Sequence, residues 1–308
     1  MVGLLLGLLA GFLALRGTDL EEVWGLLSHV VLWPVALSLV LVAITQLAKA
    51  LRWQLILEDD GKGVPLAPAL RGLLVGQAVN LLVPIRAGDF ARAYLVGRRL
   101  AVGSVFTFYT VVVEKALDAL MLLACLAVLL FWGPWPAWLS RSGILVGVLT
   151  VVGVAGGLAV AWLWQRTRDR HKSVIIHPTG WLARRFVVPA AALGESLAAA
   201  SRDGRLLWMG IWSAVVWGLG AATNWAIFAS LGLRVHWTAA LLILVAVYAG
   251  AVVPAPPARV GLFHFLVVLA LSAYGVEQSE ALACAVLLHL VVIVPLLLAG
   301  GIAACIEV

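Results

Sequence analysis

Two stretches decide how this chain folds: Val79-Asn80-Leu81-Leu82-Val83-Pro84-Ile85-Arg86-Ala87-Gly88, and Ala249-Gly250-Ala251-Val252-Val253-Pro254 continuing to Arg259-Val260-Gly261. Each closes an apolar run that is short for a bilayer crossing. Each then breaks at proline, which removes a backbone donor and ends the helix, places an arginine two to five residues later, reaches a glycine and resumes as helix. Paired, interrupted apolar segments in corresponding halves of a chain point to a transport site at mid-membrane.

Composition sets the frame around them. Of 308 residues, 64% are hydrophobic and 12% charged, with a mean hydropathy of +1.09, which excludes an ordinary soluble domain. Runs of about 20 apolar residues recur, long enough at 1.5 Å per residue for a hydrocarbon core of roughly 30 Å. The expected fold is an all-α polytopic membrane protein with about six transmembrane helices and two re-entrant helical hairpins. The candidate spans are Val2–Leu15, Ser28–Ala50, Ser104–Phe131, Ile144–Trp164, Leu206–Leu231 and Ala281–Ile302; the hairpin candidates are Leu66–Arg99 and Thr238–Tyr274. Residues 1–308 read as one integral domain. Its first repeat covers about 28–131, its linking helix and cytoplasmic connector 144–205, and its second repeat about 206–303. Tryptophans 132, 135, 138, 162 and 164 flank predicted helix ends as an interfacial aromatic belt does.

Charge gives orientation. With the amino terminus in the cytoplasm and both hairpins re-entrant, sixteen of the 21 lysines and arginines fall on the cytoplasmic side. Only Arg16, Arg141, Arg234 and Arg259 fall outside, and Lys115 lies within the membrane. This is a positive-inside distribution, and it would collapse if either hairpin crossed. The unit span–hairpin–span then occurs twice in opposite orientation, with Ile144–Trp164 as the inverting crossing. The expected location is the cell membrane, with both termini cytoplasmic. The net charge of +6 sits in short loops beside spans, so anionic lipid headgroups are the expected partners and nucleic acid is not. Cys125, Cys284 and Cys305 lie in apolar runs with no metal spacing, and no cofactor or metal is expected.

The residues Leu51-Arg52-Trp53, Gln77, Asn80, Pro84, Arg86-Ala87-Gly88-Asp89, Arg92-Ala93-Tyr94-Leu95 and Glu114-Lys115-Ala116-Leu117-Asp118 resemble the lysylphosphatidylglycerol synthase transmembrane-region family, also called flippase-like domain proteins. A later run, Pro254, Pro257, Arg259, Gly261-Leu262-Phe263 and Glu280-Ala281-Leu282, is similar to that family's second signature. The resemblance covers roughly residues 30 to 303. It implies an integral membrane protein that moves lipids or lipid-linked groups between leaflets. Some members add a soluble aminoacyl-transfer domain; none follows Val308 here, so lipid synthesis is not expected. The sequence departs from the family pattern in its proline-rich second loop, 254–259, and in His289, where a basic residue, often arginine, is usual.

Several residues are candidates for the chemistry. Arg86, Asp89 and Arg92 cluster at the first break: two guanidinium forks beside the free N–H groups of a helix start, capped by Asp89 before Phe90, suit a phosphate. The plainer reading makes Asp89 a cap and Arg86 a snorkelling interfacial cation. Glu114, Lys115 and Asp118 lie near mid-membrane, where charge usually faces a cavity or the protein interior. Lys115 can pair with Asp118 at i,i+3, leaving a carboxylate able to carry protons; the alternative is an ion-pair network locking helices together. His289 is nearly the repeat counterpart of Glu114 and joins it as a proton-coupling candidate. Arg259 and His264 mirror the first break and are the outer-side phosphate candidates. Asn80 lies beside the first break as a further substrate contact, its ordinary reading being interhelical hydrogen bonding, as for Gln77 and Asn224. There is no Gly-x-Ser-x-Gly, Walker-type loop or His-Glu-x-x-His. The resulting expectation is a flippase or scramblase for an anionic phospholipid or a polyprenyl-phosphate-linked lipid, proton-coupled or passive. The alternative is a membrane-embedded transferase with Asp89 or Glu114 as general base.

Overall fold

A computed structural model describes residues 2–58, 63–83, 87–100, 103–133, 203–251 and 256–307. The described chain is helical: α1 (Val2–Leu15), α2 (Leu20–Ser28), α3 (Leu32–Leu57), α4 (Leu66–Leu82), α5 (Ala87–Arg99), α6 (Ser104–Trp132), α7 (Arg205–Ser230), α8 (Thr238–Gly250), a 3-10 turn at Pro257–Arg259, α9 (Leu262–Ser272) and α10 (Gln278–Glu307). No strand occurs among the described residues. Local chemistry sets several ends. Pro34 sits in the first turn of α3, where no N–H is needed. Asp19 Oδ1 accepts from Glu21 N at 2.9 Å and Glu22 N at 3.3 Å, capping α2.

Four of these helices, α3, α6, α7 and α10, are long and apolar enough to cross a bilayer, and α1 with α2 forms a fifth candidate bent by 83°. The six expected spans are therefore not all seen as written. Val2–Leu15 alone is 14 residues, about 21 Å of helix. Ile144–Trp164 and the connector up to residue 202 lie outside the described residues, as do Pro84, Arg86 and Pro254. The second span also differs: it begins at Leu32 and runs to Leu57, past the expected end at Ala50. Arg52 does not end it because its charge is neutralised inside the protein.

The helices fall into two matching halves, α3–α6 and α7–α10. The first helices of the halves, α3 and α7, pack along one another. Within the first half α3 touches α4, α4 touches α5, α5 touches α6 and α3 touches α6; within the second, α7 touches α8, α8 touches α9, α9 touches α10 and α7 touches α10. Between halves the contacts are exchanged, α4 against α10 and α8 against α6, and α3 against α10 and α7 against α6. Only α1, which packs on α9, α2, which packs on α10, and the 3-10 turn, which packs on α4, stand outside this correspondence.

The middle pair of each half is an antiparallel hairpin. In the first, Gly72 faces Val96 and Gly76 faces Gly88 and Arg92. A Cβ on Gly88 would lie 1.8 Å from the carbonyl oxygen of Gly76, so the two backbones meet at a distance only glycine permits. In the second, Tyr274 donates its hydroxyl to Thr238 Oγ1 at 2.8 Å at the open end, and Gly250 faces Leu266 near the tip. The arms, 17, 13, 13 and 11 residues, reach about 17 to 26 Å at 1.5 Å per residue, less than a hydrocarbon core of roughly 30 Å. The second tip is held from outside its own half. Gly3, Gly7 and Gly11 lie at i, i+4, i+8 along α1. Gly7 lies against Pro256, and Gly261, at φ +85°, packs on Gly7 and Gly11 so closely that a Cβ there would come 2.0 Å from Gly7 O.

Candidate functional site

The first half carries a chain of buried charge. Arg52 on α3 is fully buried. Its Nη1 donates to Asp118 Oδ1 at 2.7 Å and Ser213 Oγ at 3.2 Å, and its Nη2 lies 3.5 Å from Glu114 Oε1. Arg92 on α5 lies 2.9 Å from Glu114 Oε2 through Nη1, and 3.6 Å from Asp89 Oδ1 through Nε. The order is Asp118, Arg52, Glu114, Arg92, Asp89, alternating in sign across α3, α5 and α6. Charge buried in this way is retained only when partnered. The partnering is incomplete in geometry: the 2.9 Å Arg92–Glu114 contact is close but not aligned as a hydrogen bond. Arg52 Nε and Nη2, Arg92 Nε and Nη2, and Glu114 Oε2 have no hydrogen-bond partner.

Aromatic and polar neighbours fix the two arginines. The Arg92 guanidinium lies over the Trp53 ring at 4.8 Å, a cation–π contact strengthened by desolvation. Trp53 Nε1 donates to Thr110 Oγ1 at 3.0 Å, tying α3 to α6. Trp53, Ile56 and Leu57 continue the apolar face of α3 beyond Arg52 and are buried with Leu73 and Val96.

Against the expected roles, the placements are as follows. Asp89 lies inside the first turn of α5, which begins at Ala87 rather than Phe90. Asn80 does the closing: its Oδ1 accepts from Gly88 N at 2.9 Å, and its Nδ2 donates to Asp89 Oδ1 at 3.2 Å. Both ends of that amide are spent on joining α4 to α5. Gln77 Nε2 donates to Gln46 Oε1 at 2.9 Å, and Asn224 Nδ2 to Ala240 O at 2.9 Å. Lys115 is exposed on α6, and Asp118 takes Arg52 as its partner instead. The structure brings Glu114 and Asp118 to Arg52, and Asp89 and Glu114 to Arg92; the sequence reading left Arg52 past the end of its span. The continuing apolar spacing at Trp53, Ile56 and Leu57 was the signal available for it.

The second half replaces charge with imidazole. His264 on α9 and His289 on α10 have ring centroids 4.8 Å apart, with Phe263 5.1 Å from His289. His264 Nδ1 accepts from Gly261 N at 3.4 Å, and His289 Nε2 donates to Ala258 O at 2.8 Å. That carbonyl belongs to a strained tip: Ala258 and Arg259 have φ of +53° and +56°, a region non-glycine residues rarely occupy. Arg259 is half-buried there. Thus Arg92–Glu114 and His264–His289 are equivalent contacts, each joining a hairpin's second arm to the last helix of its half.

Between the halves lies a partly open cavity of about 140 Å³, lined by residues of α3, α7, α8, α9 and α10. It is apolar on most sides, with polar groups from Thr45, Gln46 and Lys49 on one face of α3, Trp217 and Asn224 on α7, and Tyr248 on α8. The Trp217 and Tyr248 rings pack with centroids 4.6 Å apart, tilted by 36°. Lys49 precedes Arg52 by one turn of α3, and Phe263 packs on His289 at 5.1 Å, so the cavity approaches the charge chain along α3 and the histidine pair through α9.

These features define an all-α polytopic membrane protein with four or five candidate spans among its described residues. The chain belongs to the lysylphosphatidylglycerol synthase TM region family, whose model matches residues 1–300. It is 25% identical over 287 residues to the UPF0104 membrane protein PH1989 of Pyrococcus horikoshii, covering 86% of this chain and 85% of that protein. It is 30% identical over 159 residues to glycosyltransferase AglD of Haloferax volcanii, covering 51% of this chain and 24% of that much longer protein. No solved structure matches.

Proposed function

We propose that this protein is a lipid transporter, a flippase or scramblase that moves an anionic phospholipid or a polyprenyl-phosphate-linked lipid between leaflets. The carrying observation is the exchanged packing of α4 on α10 and α8 on α6. It packs the first arm of each hairpin on the last helix of the other half, an interlocking that supports the comparison with transporters that rock one repeat against the other about a fixed site. The short hairpin arms, the buried charge and the family support the same reading. In it the hairpins are re-entrant from opposite sides, the protein resides in the cell membrane, and both termini are cytoplasmic.

The second reading is a transferase acting on a lipid-linked substrate, favoured by the name of the AglD relative. Against it, Glu114 is engaged by two guanidiniums and Asp89 by Arg92 and Asn80, an arrangement that occupies both candidate bases. Reconstitution tests the proposal: purified protein in liposomes carrying fluorescent phosphatidylglycerol should expose the inner-leaflet probe to an external quencher faster than protein-free liposomes. Equal quenching in both, with and without a pH gradient, would rule transport out.

A further inference from the structure

Two polar groups at the central cavity have nothing to bind. Lys49 forms no hydrogen bond or ion pair among the described residues; it senses Asp118 and Glu114 only at longer range. Trp217 is 3% exposed, and its Nε1–H has no acceptor. An unmatched N–H costs on the order of 1–3 kcal/mol, and an unpaired ammonium amid apolar side chains is costlier still. Both residues line the same cavity, and both can only donate. What is missing is an acceptor carrying negative charge.

The remaining walls say what the acceptor is attached to. Thr45, Thr223 and Asn224 spend their donors on the backbone carbonyls of Leu41, Leu219 and Ala240. Gln46 Oε1 accepts from Gln77, and the Tyr248 hydroxyl adds one more polar group; the rest of the lining, mainly from α8 and α10, is apolar, which suits hydrocarbon and not a free hydrated ion. The space is on the order of ten times the roughly 10–15 Å³ that one water needs, enough for a phosphate and its immediate substituents. We infer that Lys49 and Trp217 form the headgroup site for a singly anionic phospholipid, the phosphodiester accepting from both while an acyl chain runs along the apolar face of α8 and α10. This inference rests on the lipid-transport reading and gives it a site distinct from the Arg52–Glu114–Arg92 chain, whose charges already face one another.

Native mass spectrometry of the full chain in detergent, titrated with palmitoyl-oleoyl phosphatidylglycerol or the matching phosphatidylcholine, reads the site directly. Wild type should prefer the anionic lipid. Lys49→Met should weaken phosphatidylglycerol binding about tenfold or more, the size of a lost charge-assisted hydrogen bond, and erase the preference. Lys49→Arg should retain it, and Trp217→Phe, which keeps a ring against Tyr248, should weaken binding about threefold. Arg234→Met, at an exposed loop residue, controls for surface charge and should match wild type. Phosphatidylglycerol binding by Lys49→Met and Trp217→Phe equal to wild type would overturn the site. So would displacement of the lipid by millimolar glycerol phosphate, which would make the ligand a free phosphoester. Should Lys49→Met not fold, Lys49→Gln and Trp217→Phe decide on the same terms. Flipping measured on the same preparations separates the two proposals: selective binding without wild-type flipping upholds the site and overturns transport.

Discussion

Arg92 and Glu114 face one another at 2.9 Å, one from the second arm of the first hairpin and one from the helix that follows it, and neither side chain is more than 5% exposed. Glu114 also carries the load of Arg52 at 3.5 Å, so one carboxylate serves two buried cations.

Removing that carboxylate's charge should therefore register first as lost stability. Glu114→Gln leaves two guanidiniums short of a counter-charge, and breaking a buried pair from one side costs about 3–5 kcal/mol. The expected result is a clearly lowered melting temperature in detergent, together with normal flipping per folded molecule. An unchanged melting temperature with abolished flipping would instead make Glu114 part of the transport pathway.

The first hairpin depends on having no side chain at its crossing. Gly88→Ala forces a Cβ onto the Gly76 carbonyl, and Gly76→Ala meets Gly88 O at 2.8 Å. Both contacts are with backbone, which has no rotamer to give. Each variant should lose monodisperse protein on size exclusion. Gly210→Ala has open space around it and should be neutral or gain about 0.5–1 kcal/mol from the helix preference for alanine.

Side-specific labelling checks the hairpins as elements that return to the face they left. Cysteines at Leu66 and Arg99 should react from one side of the membrane, and cysteines at Arg234 and Glu277 from the other. Labelling of Leu66 and Arg99 from opposite sides would mean that this segment crosses.

His289 holds the second tip by its bond to Ala258 O. His289→Ala frees a part-buried carbonyl in a left-handed turn and should cost about 1 kcal/mol, with faster protease cleavage near residues 257–261. An uncleaved tip and unchanged melting temperature would leave this bond without a structural role.

Some of this was legible in the sequence because its causes are local. Proline followed closely by arginine and glycine marks a break in an apolar run, as Pro295 inside α10 does not, and Glu114 and Asp118 stand out because charge inside an apolar run is rare. Arg52 was hidden for the opposite reason. Its partners are 62 and 66 residues away, and only folding turns an arginine at an expected helix end into the middle of an ion-pair chain. Asn80 was read as a hydrogen-bonding group, but that it joins α4 to the start of α5 depends on the hairpin closing. Lys49 looked like one more positive charge near a loop until α7 and α8 enclosed it. The packing role of Gly7 and Gly11 was hidden likewise, because their partner, the second tip, is some 250 residues distant.

That glycine stripe also sets the two tips apart. The first tip is closed by Asn80 from its own hairpin, whereas the second is also packed from outside its half. Here one tip is latched by a helix that belongs to neither half, and the latch is as strong as the close fit of Gly7 to Pro256 and Gly261. A side chain added at Gly7 would therefore press on the second tip from outside both halves, without touching a single residue of the central cavity.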